Sequence, residues 1–295
     1  MKIYDMHIHA KATDVTPDLL LEKMDNAGVF GGAVFSNRPI EIGKTGTDFK
    51  NRIEEVFDWS KDHEDRIFPV LWIHPYEKDA IRNVRIAVDM GIKAFKIICN
   101  NFYAYERKSI KLLEEIAKHN KPVIFHSGIL WNGGETSRYN RPANFEKLIE
   151  IDNLTFSLGH CSWPWIDECI ALYGKFLNAT TTGANTEMFF DITPGTPVIY
   201  REELLFKLFN VGYDVPNNIM FGTDNRADTY NSVWAQKWIT LDNSIYEKLG
   251  VPECIKQKIY CDNFLRFFGL KDKDFEHISP VSDQDNAWSL DNYKQ

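Results

Sequence analysis

Five residues pair metal-binding or acid–base chemistry with a place at the end of an apolar run: His7, His9, His126, His160 and Asp224. The first two stand in Asp5-Met6-His7-Ile8-His9. If that stretch is a strand, alternation puts Asp5, His7 and His9 on one face and Tyr4, Met6 and Ile8 on the other. Two imidazoles on a buried face are costly unless something takes their lone pairs, and a divalent cation does so. A His-x-His pattern alone equally fits a surface or hydrogen-bonded pair. His126 closes Pro122-Val123-Ile124-Phe125, His160 closes the run 154–159, and Asp224 closes Ile219-Met220-Phe221-Gly222-Thr223. Histidine with carboxylate is the ligand set of zinc and related catalytic metals.

These groups share a site only if a scaffold brings their strand ends together. Short apolar or β-branched runs alternate with longer stretches of helical period, the mark of βα units. The strand candidates are 2–9, 32–36, 67–73, 94–99, 122–126, 154–160, 177–180 and 218–223. Between them lie amphipathic segments such as Leu20 with Met24 and Ala27, Phe49 with Ile53 and Phe57, Ile81 with Val84 and Val88, Leu112 with Ile116, and Leu204 with Leu208. Eight units fit an open doubly wound sheet or a closed barrel. Gly28, Gly31 and Gly32 do not form GxGxxG, and no GxxxxGK[ST] occurs, so the expected fold is an α/β (β/α)8 TIM barrel. In such a barrel the C-terminal strand ends ring one site. With no Pro-, Gly- or Ser-rich linker, residues 1–270 read as one metal-dependent barrel domain. Residues 271–295 read as a polar C-terminal tail whose few anchors are Trp288 and Tyr293.

Composition narrows the function. The 295 residues carry 34 Lys and Arg against 42 Asp and Glu, a formal charge of −8, which argues against a phosphate-backbone binder. No apolar run approaches the roughly 18 to 20 residues of a membrane span, and Met1-Lys2-Ile3-Tyr4-Asp5 leads into polar residues rather than a signal-peptide core. The expectation is a cytoplasmic protein with a small-molecule substrate and neither nucleic acid nor membrane as partner, homo-oligomerisation being left open. Five cysteines (Cys99, Cys161, Cys169, Cys254, Cys261) without a CxxC pair indicate neither a disulfide framework nor a thiolate zinc site.

The Asp-x-His-x-His start, the strand-end histidines in IFHSG and LGHCSWPW, the MFGTDN run and the closing IYCDNFLRFFGL together resemble the amidohydrolase superfamily. Within it, the likeness is to the amidohydrolase-related branch that includes aminocarboxymuconate-semialdehyde decarboxylase, and it extends from Met1 to about Leu270. The resemblance implies a (β/α)8 barrel with one catalytic divalent metal, zinc first among the candidates. Carried over position by position, His7, His9, His126 and Asp224 would be ligands, and Asp224 would also accept a proton. His160 would orient the attacking water or polarise the substrate, and Asp5 would support the ligands or the fold from behind. Lys96, at the end of the fourth strand, stands where some members of the superfamily carry a carboxylated lysine bridging two metals. Left unmodified, it is a rim lysine or a carboxylate partner whose charge opposes a second cation.

Substrate groups are expected from loops after the strands. The loop 128–142 holds Trp131, Arg138, Tyr139 and Arg141. Trp163 and Trp165 follow His160, and Arg226 follows Asp224. Trp131, Trp163, Arg138 and Arg141 would bind a small carboxylated or aromatic substrate. The tryptophans equally serve as barrel caps and the arginines as partners of local acids. His74 ends the third strand and reads as a hydrogen-bonded rim residue within reach of the site, whereas His63, His119 and His277 read as solvated. The leading function is metal-activated hydrolysis of an amide, ester or lactone bond. Non-oxidative decarboxylation on the same first shell is the alternative, and a catalytically idle binding barrel the third reading.

Overall fold

The computed structural model describes residues 1–11, 16–42 and 46–270, so the tail at 271–295 and His277 lie outside the described residues. Nine strands are described: β1 Tyr4–His9, β2 Gly31–Phe35, β3 Ile67–Trp72, β4 Ala94–Ile97, β5 Val123–Phe125, β6 Thr155–Leu158, β7 Glu187–Asp191, β8 Ile219–Met220 and β9 Asn225–Arg226. They pair in parallel in the order β8-β7-β6-β5-β4-β3-β2-β1-β9. β8 and β9 are two pieces of the eighth strand, one paired with β7 and the other with β1. The Met6 N–H donating to the Phe221 carbonyl at 3.0 Å helps close the ring. The fold is a (β/α)8 barrel.

Seven of the expected strands stand where the runs placed them. The seventh does not: residues 177–180 are the last turn of a helix, and the strand is Glu187–Asp191. Locally the β-branched Thr180-Thr181-Thr182 run imitates a strand. The helix wins because Ile166, Cys169, Ile170, Tyr173 and Phe176 form one buried stripe at helical spacing through that end.

The crossover helices are α1 Pro17–Ala27, α2 Phe49–Ser60, α3 Ala80–Asp89, α4 Arg107–Lys118, α5 Ile166–Thr180, α6 Arg201–Asn210 and α7 Ser232–Lys248, with 3-10 turns Ser137–Asn140 and Pro142–Glu150 crossing between β5 and β6. α1 shows how local sequence sets these elements. Pro17 fits its first turn, Leu20, Leu21, Met24 and Ala27 form the buried face, and Gly28 ends it at φ 75°, a conformation that favours glycine.

Two cores result. Inside the barrel, Met6, Ala33, Phe35, Val70, Ala94, Ile124, Phe189 and Met220 pack together. Outside, Val34, Ile67 and their counterparts on other strands face the helices. The bottom of the barrel is plugged by the last described elements, α8 Glu253–Gln257, a π-helical turn Lys258–Asp262 and α9 Asn263–Phe267. Phe264 stacks on Tyr4 with centroids 4.7 Å apart and planes 10° apart, and Phe267 meets Phe189 edge-on at 5.0 Å. The IYCDNFLRFFGL run is therefore a stopper, each buried ring contributing about 1.5–3 kcal/mol of burial. Among the described residues no helix is long and apolar enough to cross a membrane. Cys99, Cys161, Cys169 and Cys261 are buried free thiols and Cys254 is exposed.

Candidate metal centre

β1 carries the first two histidines, but not by simple alternation. Asp5 pairs with Gly32 and Ile8 with Val34, so β1 advances three residues while β2 advances two. This bulge cancels the expected shared face, because a bulge shifts which way successive side chains point. Tyr4 and Met6 belong to the inner cluster, while Asp5 turns outward. There its carboxylate accepts from the Thr223 N–H at 2.9 Å, the Thr223 hydroxyl at 2.5 Å and the Tyr230 hydroxyl at 3.0 Å. Burial dominates at Asp5 and pushes its carboxyl up to about 7. Asp5 thus ties β1 to the strand that carries Asp224, from behind.

His7 and His9 meet Asp224 at the barrel mouth. Asp224 sits between β8 and β9 at φ 57°, a left-handed conformation that Asp tolerates better than most residues. Its Oδ1 lies 3.3 Å from His9 Nε2 and 3.8 Å from His7 Nε2. One ligand atom from each of the three falls within 4.8 Å of the others. A tetrahedral site with bonds of about 2.1 Å spaces its ligands by about 3.4 Å, so the trio fits a divalent cation. Protonation fits as well. Burial foremost, then the Lys96 ammonium, drives His7 well below its ordinary pKa, leaving a neutral imidazole. At Asp224 burial works upward, but the His9 hydrogen bond and the neighbouring imidazoles outweigh it and keep the carboxyl below its usual range. Asp224 and His9 are 37% and 27% exposed, which leaves this side open to a small molecule.

Behind His7 stands a residue that the sequence reading missed. Asp191, fully buried at the end of β7, lies 2.6 Å from His7 Nδ1. The misplaced seventh strand hid it. Its signal was of the kind that revealed Asp224, since Met188-Phe189-Phe190 is a short apolar run closed by an acid.

Lys96 is no rim lysine. It is buried inside the barrel, its Nζ 5.0 Å from the Phe35 ring centroid and donating to His7 Nε2 at 3.3 Å. Burial lowers its pKa to about 8 against the pull of Asp191 and Asp224, so at neutral pH it stays mainly an ammonium.

His126 and His160 lie beside the trio, their ring centroids 5.0 Å apart, and His160 is 5.3 Å from His7. Neither joins the three-residue cluster among the described residues. His126 Nε2 is 3.2 Å from the Ile129 carbonyl, which only accepts, so Nε2 carries the proton. His160 begins three consecutive residues at positive φ, His160 58°, Cys161 42° and Ser162 60°. Ser127 Oγ donating to Ser162 Oγ at 2.8 Å helps hold this costly backbone.

The rim residues take local partners. Trp131 is 78% exposed and stacks on Trp163 at 6.4 Å, and the Trp163 N–H donates to the His160 carbonyl at 3.1 Å. Arg138 donates to the Tyr139 hydroxyl at 2.9 Å, Arg141 to Glu168 at 2.8 Å, and Arg226 to Asp228 at 3.0 Å. His74 is the expected hydrogen-bonded rim histidine, near Asn100 Oδ1 at 3.2 Å and accepting from the Tyr76 N–H at 3.2 Å.

A family model described as amidohydrolase matches residues 4–270. The chain belongs to the amidohydrolase family. A search of curated proteins returns no match. Among solved structures, this amidohydrolase resembles 2,6-dihydroxybenzoate decarboxylase from Rhizobium with a TM-score of 0.63 and 14% identity over 91% of this chain and 99% of that one. Dihydroorotase from Campylobacter jejuni superposes with a TM-score of 0.58 and 18% identity over 92% and 84%. A probable 2-pyrone-4,6-dicarboxylic acid hydrolase from Acinetobacter baumannii gives 0.58 and 11% over 92% and 100%. At these identities the likeness is one of fold, and the neighbours include both a hydrolase and a decarboxylase by name.

Proposed function

We propose that this amidohydrolase is a metal-dependent hydrolase of an amide, ester or lactone bond in a small, carboxylated or aromatic substrate. The observation that carries it is the convergence of His7, His9 and Asp224, with Asp224 Oδ1 3.3 and 3.8 Å from the two imidazoles. These three residues would hold one divalent cation, zinc first among candidates, with His126 the expected fourth ligand. When bound, the cation supplies Lewis-acid polarisation of a carbonyl and a lowered pKa for water.

The chain's own groups supply the rest. Asp224, ionised and partly exposed, accepts the proton of the attacking water at a carboxylate oxygen. His160, its ring 5.3 Å from that of His7, takes that proton on at its Nε2 lone pair and passes it to the leaving group. Lys96 places an ammonium at the floor of the site, where its charge opposes a second divalent ion. Trp131 and Trp163, stacked on one another in the loops after His126 and His160, would offer the substrate an aromatic wall. The same side chains would serve non-oxidative decarboxylation, with His160 delivering the proton to carbon, and the 2,6-dihydroxybenzoate decarboxylase neighbour favours testing it.

Elemental analysis of protein purified without chelator is expected to give about one cation per chain. His7→Ala with His9→Ala should lose it while the barrel still folds, and Lys96→Ala should leave it unchanged. Full metal content in the double variant defeats the assignment. Two cations, one lost in Lys96→Ala, would make the lysine a bridging ligand. A screen of lactones, dipeptides and aromatic or muconate-like acids then separates hydrolysis from carbon dioxide release.

A further inference from the structure

The end of β7 and the turn that follows it provide none of the proposed ligands, yet they touch two of the site's histidines. Asp191 Oδ2 lies 2.6 Å from His7 Nδ1, and its other oxygen accepts the Thr193 N–H at 2.8 Å, so the carboxylate acts as an acceptor. The Asp191 contact describes one tautomer of neutral His7, protonated at Nδ1 with its lone pair at Nε2, the atom 3.3 Å from Lys96 Nζ. Two residues further on, the Thr193 carbonyl lies 3.2 Å from His160 Nδ1. A carbonyl can only accept, so His160 is also protonated at Nδ1, and its neutral form has its lone pair at Nε2. His126, which donates from Nε2 to Ile129, has the opposite arrangement and no contact of this kind with the segment.

Packing holds the segment to this task. A Cβ on Gly195 would lie 2.6 Å from His160 Cγ, so only glycine lets the backbone rest on that ring. Between the two contacts, Arg201 on α6 donates to the Ile192 carbonyl at 2.5 Å. Its remaining nitrogens form a bidentate pair with Asp242 of α7, both bonds 2.7 Å and both side chains buried.

We propose that Asp191–Gly195, clamped by Arg201 and Asp242, is a positioning element that fixes His7 and His160 as Nδ1–H tautomers and so presents both Nε2 lone pairs to the reaction space. The His7 half rests on the reading of His7 as a ligand. The His160 half concerns a proton carrier and stands without any metal. Carboxylate and carbonyl partners of this sort orient metal-binding histidines in general, and losing one costs about 10- to 100-fold in metal affinity.

The test reads tautomers directly, by long-range proton–nitrogen correlation spectra of the imidazoles in full-length protein, together with zinc affinity from competition with a chromophoric chelator. Wild type should show His7 and His160 protonated at Nδ1. Asp191→Asn should unfix His7, leave His160 unchanged and weaken zinc binding by about 10- to 100-fold. Gly195→Ala should displace the His160 signals and spare those of His7. Arg201→Met combined with Asp242→Asn, which avoids stranding one buried charge, should disturb both. Unchanged tautomers and zinc affinity in Asp191→Asn, or His160 signals unmoved in Gly195→Ala, overturn the proposal. If Asp191→Asn fails to fold, the Gly195→Ala spectrum alone decides the His160 half. A wild type that binds no zinc but shows both tautomers as stated defeats the metal reading above and leaves this one standing.

Discussion

The two ends of the same barrel are built on opposite rules. At the bottom, Tyr4, Phe68 and Phe189 meet Phe264, Phe267 and Phe268, and the contacts are ring on ring. At the top, the other end of the barrel, stand His7, Lys96, Asp191 and His160, all buried, and the backbone turns through positive φ at His160, Cys161, Ser162 and Asp224. Buried polar groups and strained backbone cost free energy, and they persist where the surrounding structure holds them for use. The bottom supplies the stability that the top spends. Substitutions at the two ends should therefore separate cleanly, those at the top costing turnover and those at the bottom costing folding.

The largest effect is expected at the top. Asp224→Asn keeps an oxygen that can coordinate but loses the group that accepts a proton, so turnover at saturating zinc should fall by about 10²- to 10⁴-fold with little change in Tm. Near-normal turnover would remove Asp224 as the base. At the bottom, Phe264→Ala empties the stopper and should destabilise the fold by about 3–5 kcal/mol in denaturant titration while zinc affinity is unchanged. Coupled loss of stability and zinc affinity would show that the two ends are not independent.

Asp5 tests the boundary between the ends, because it lies one bulge away from His7 but faces the outer layer. Its pKa is raised to about 7 from 3.8 by burial, so between about pH 4 and 7 the folded chain holds a proton that the unfolded chain has lost. The Asp5 contribution to stability is present below pH 4 and is lost as pH rises through 7. Chemical denaturation across that window should show a steeper decline for wild type than for Asp5→Asn. Equal slopes would mean that the hydrogen bonds to the carboxylate from Thr223, Tyr230 and the His7 N–H keep it ionised despite burial.

What could be read from residues alone follows the same division. Leu20, Met24 and Ala27 predicted the buried face of α1, and His7, His9 and Asp224 stood out because ionisable side chains closed apolar runs. Asp191 closed such a run too, but its strand was sought ten residues early, inside a helix whose threonines imitate a strand. The outward turn of Asp5 was hidden because a bulge is a property of two paired strands and one strand's alternation cannot report it. Which nitrogen of His126 or His160 carries the proton depends on carbonyls of Ile129 and Thr193, and backbone carbonyls have no residue type to read. The depth of Lys96 was missed for a related reason, since a lysine at a strand end looks the same from sequence whether it faces water or Phe35.

The smallest effect concerns the arginines of the β5 loop, which carry the reading of an acidic substrate. Both are 56% exposed, but they are held differently. Arg141 is bound to Glu168, which also accepts the Ala143 N–H at 2.8 Å, and its guanidinium lies over Trp165. Arg138 rests on the Tyr139 ring, with Glu135 at 3.8 Å its ion-pair partner. An exposed pair is worth about 0–1 kcal/mol, so a substrate carboxylate can draw Arg138 away at little cost, whereas Arg141 must leave a carboxylate that is itself anchored. Arg138→Met should therefore raise KM for a carboxylate substrate about three- to fivefold and leave an uncharged analogue unchanged, with Arg141→Met within about twofold of wild type for both. If Arg138→Met shifts KM equally for charged and uncharged substrates, the loop contributes shape and not charge, and recognition of the acid passes to the cation and Lys96 at the floor of the site.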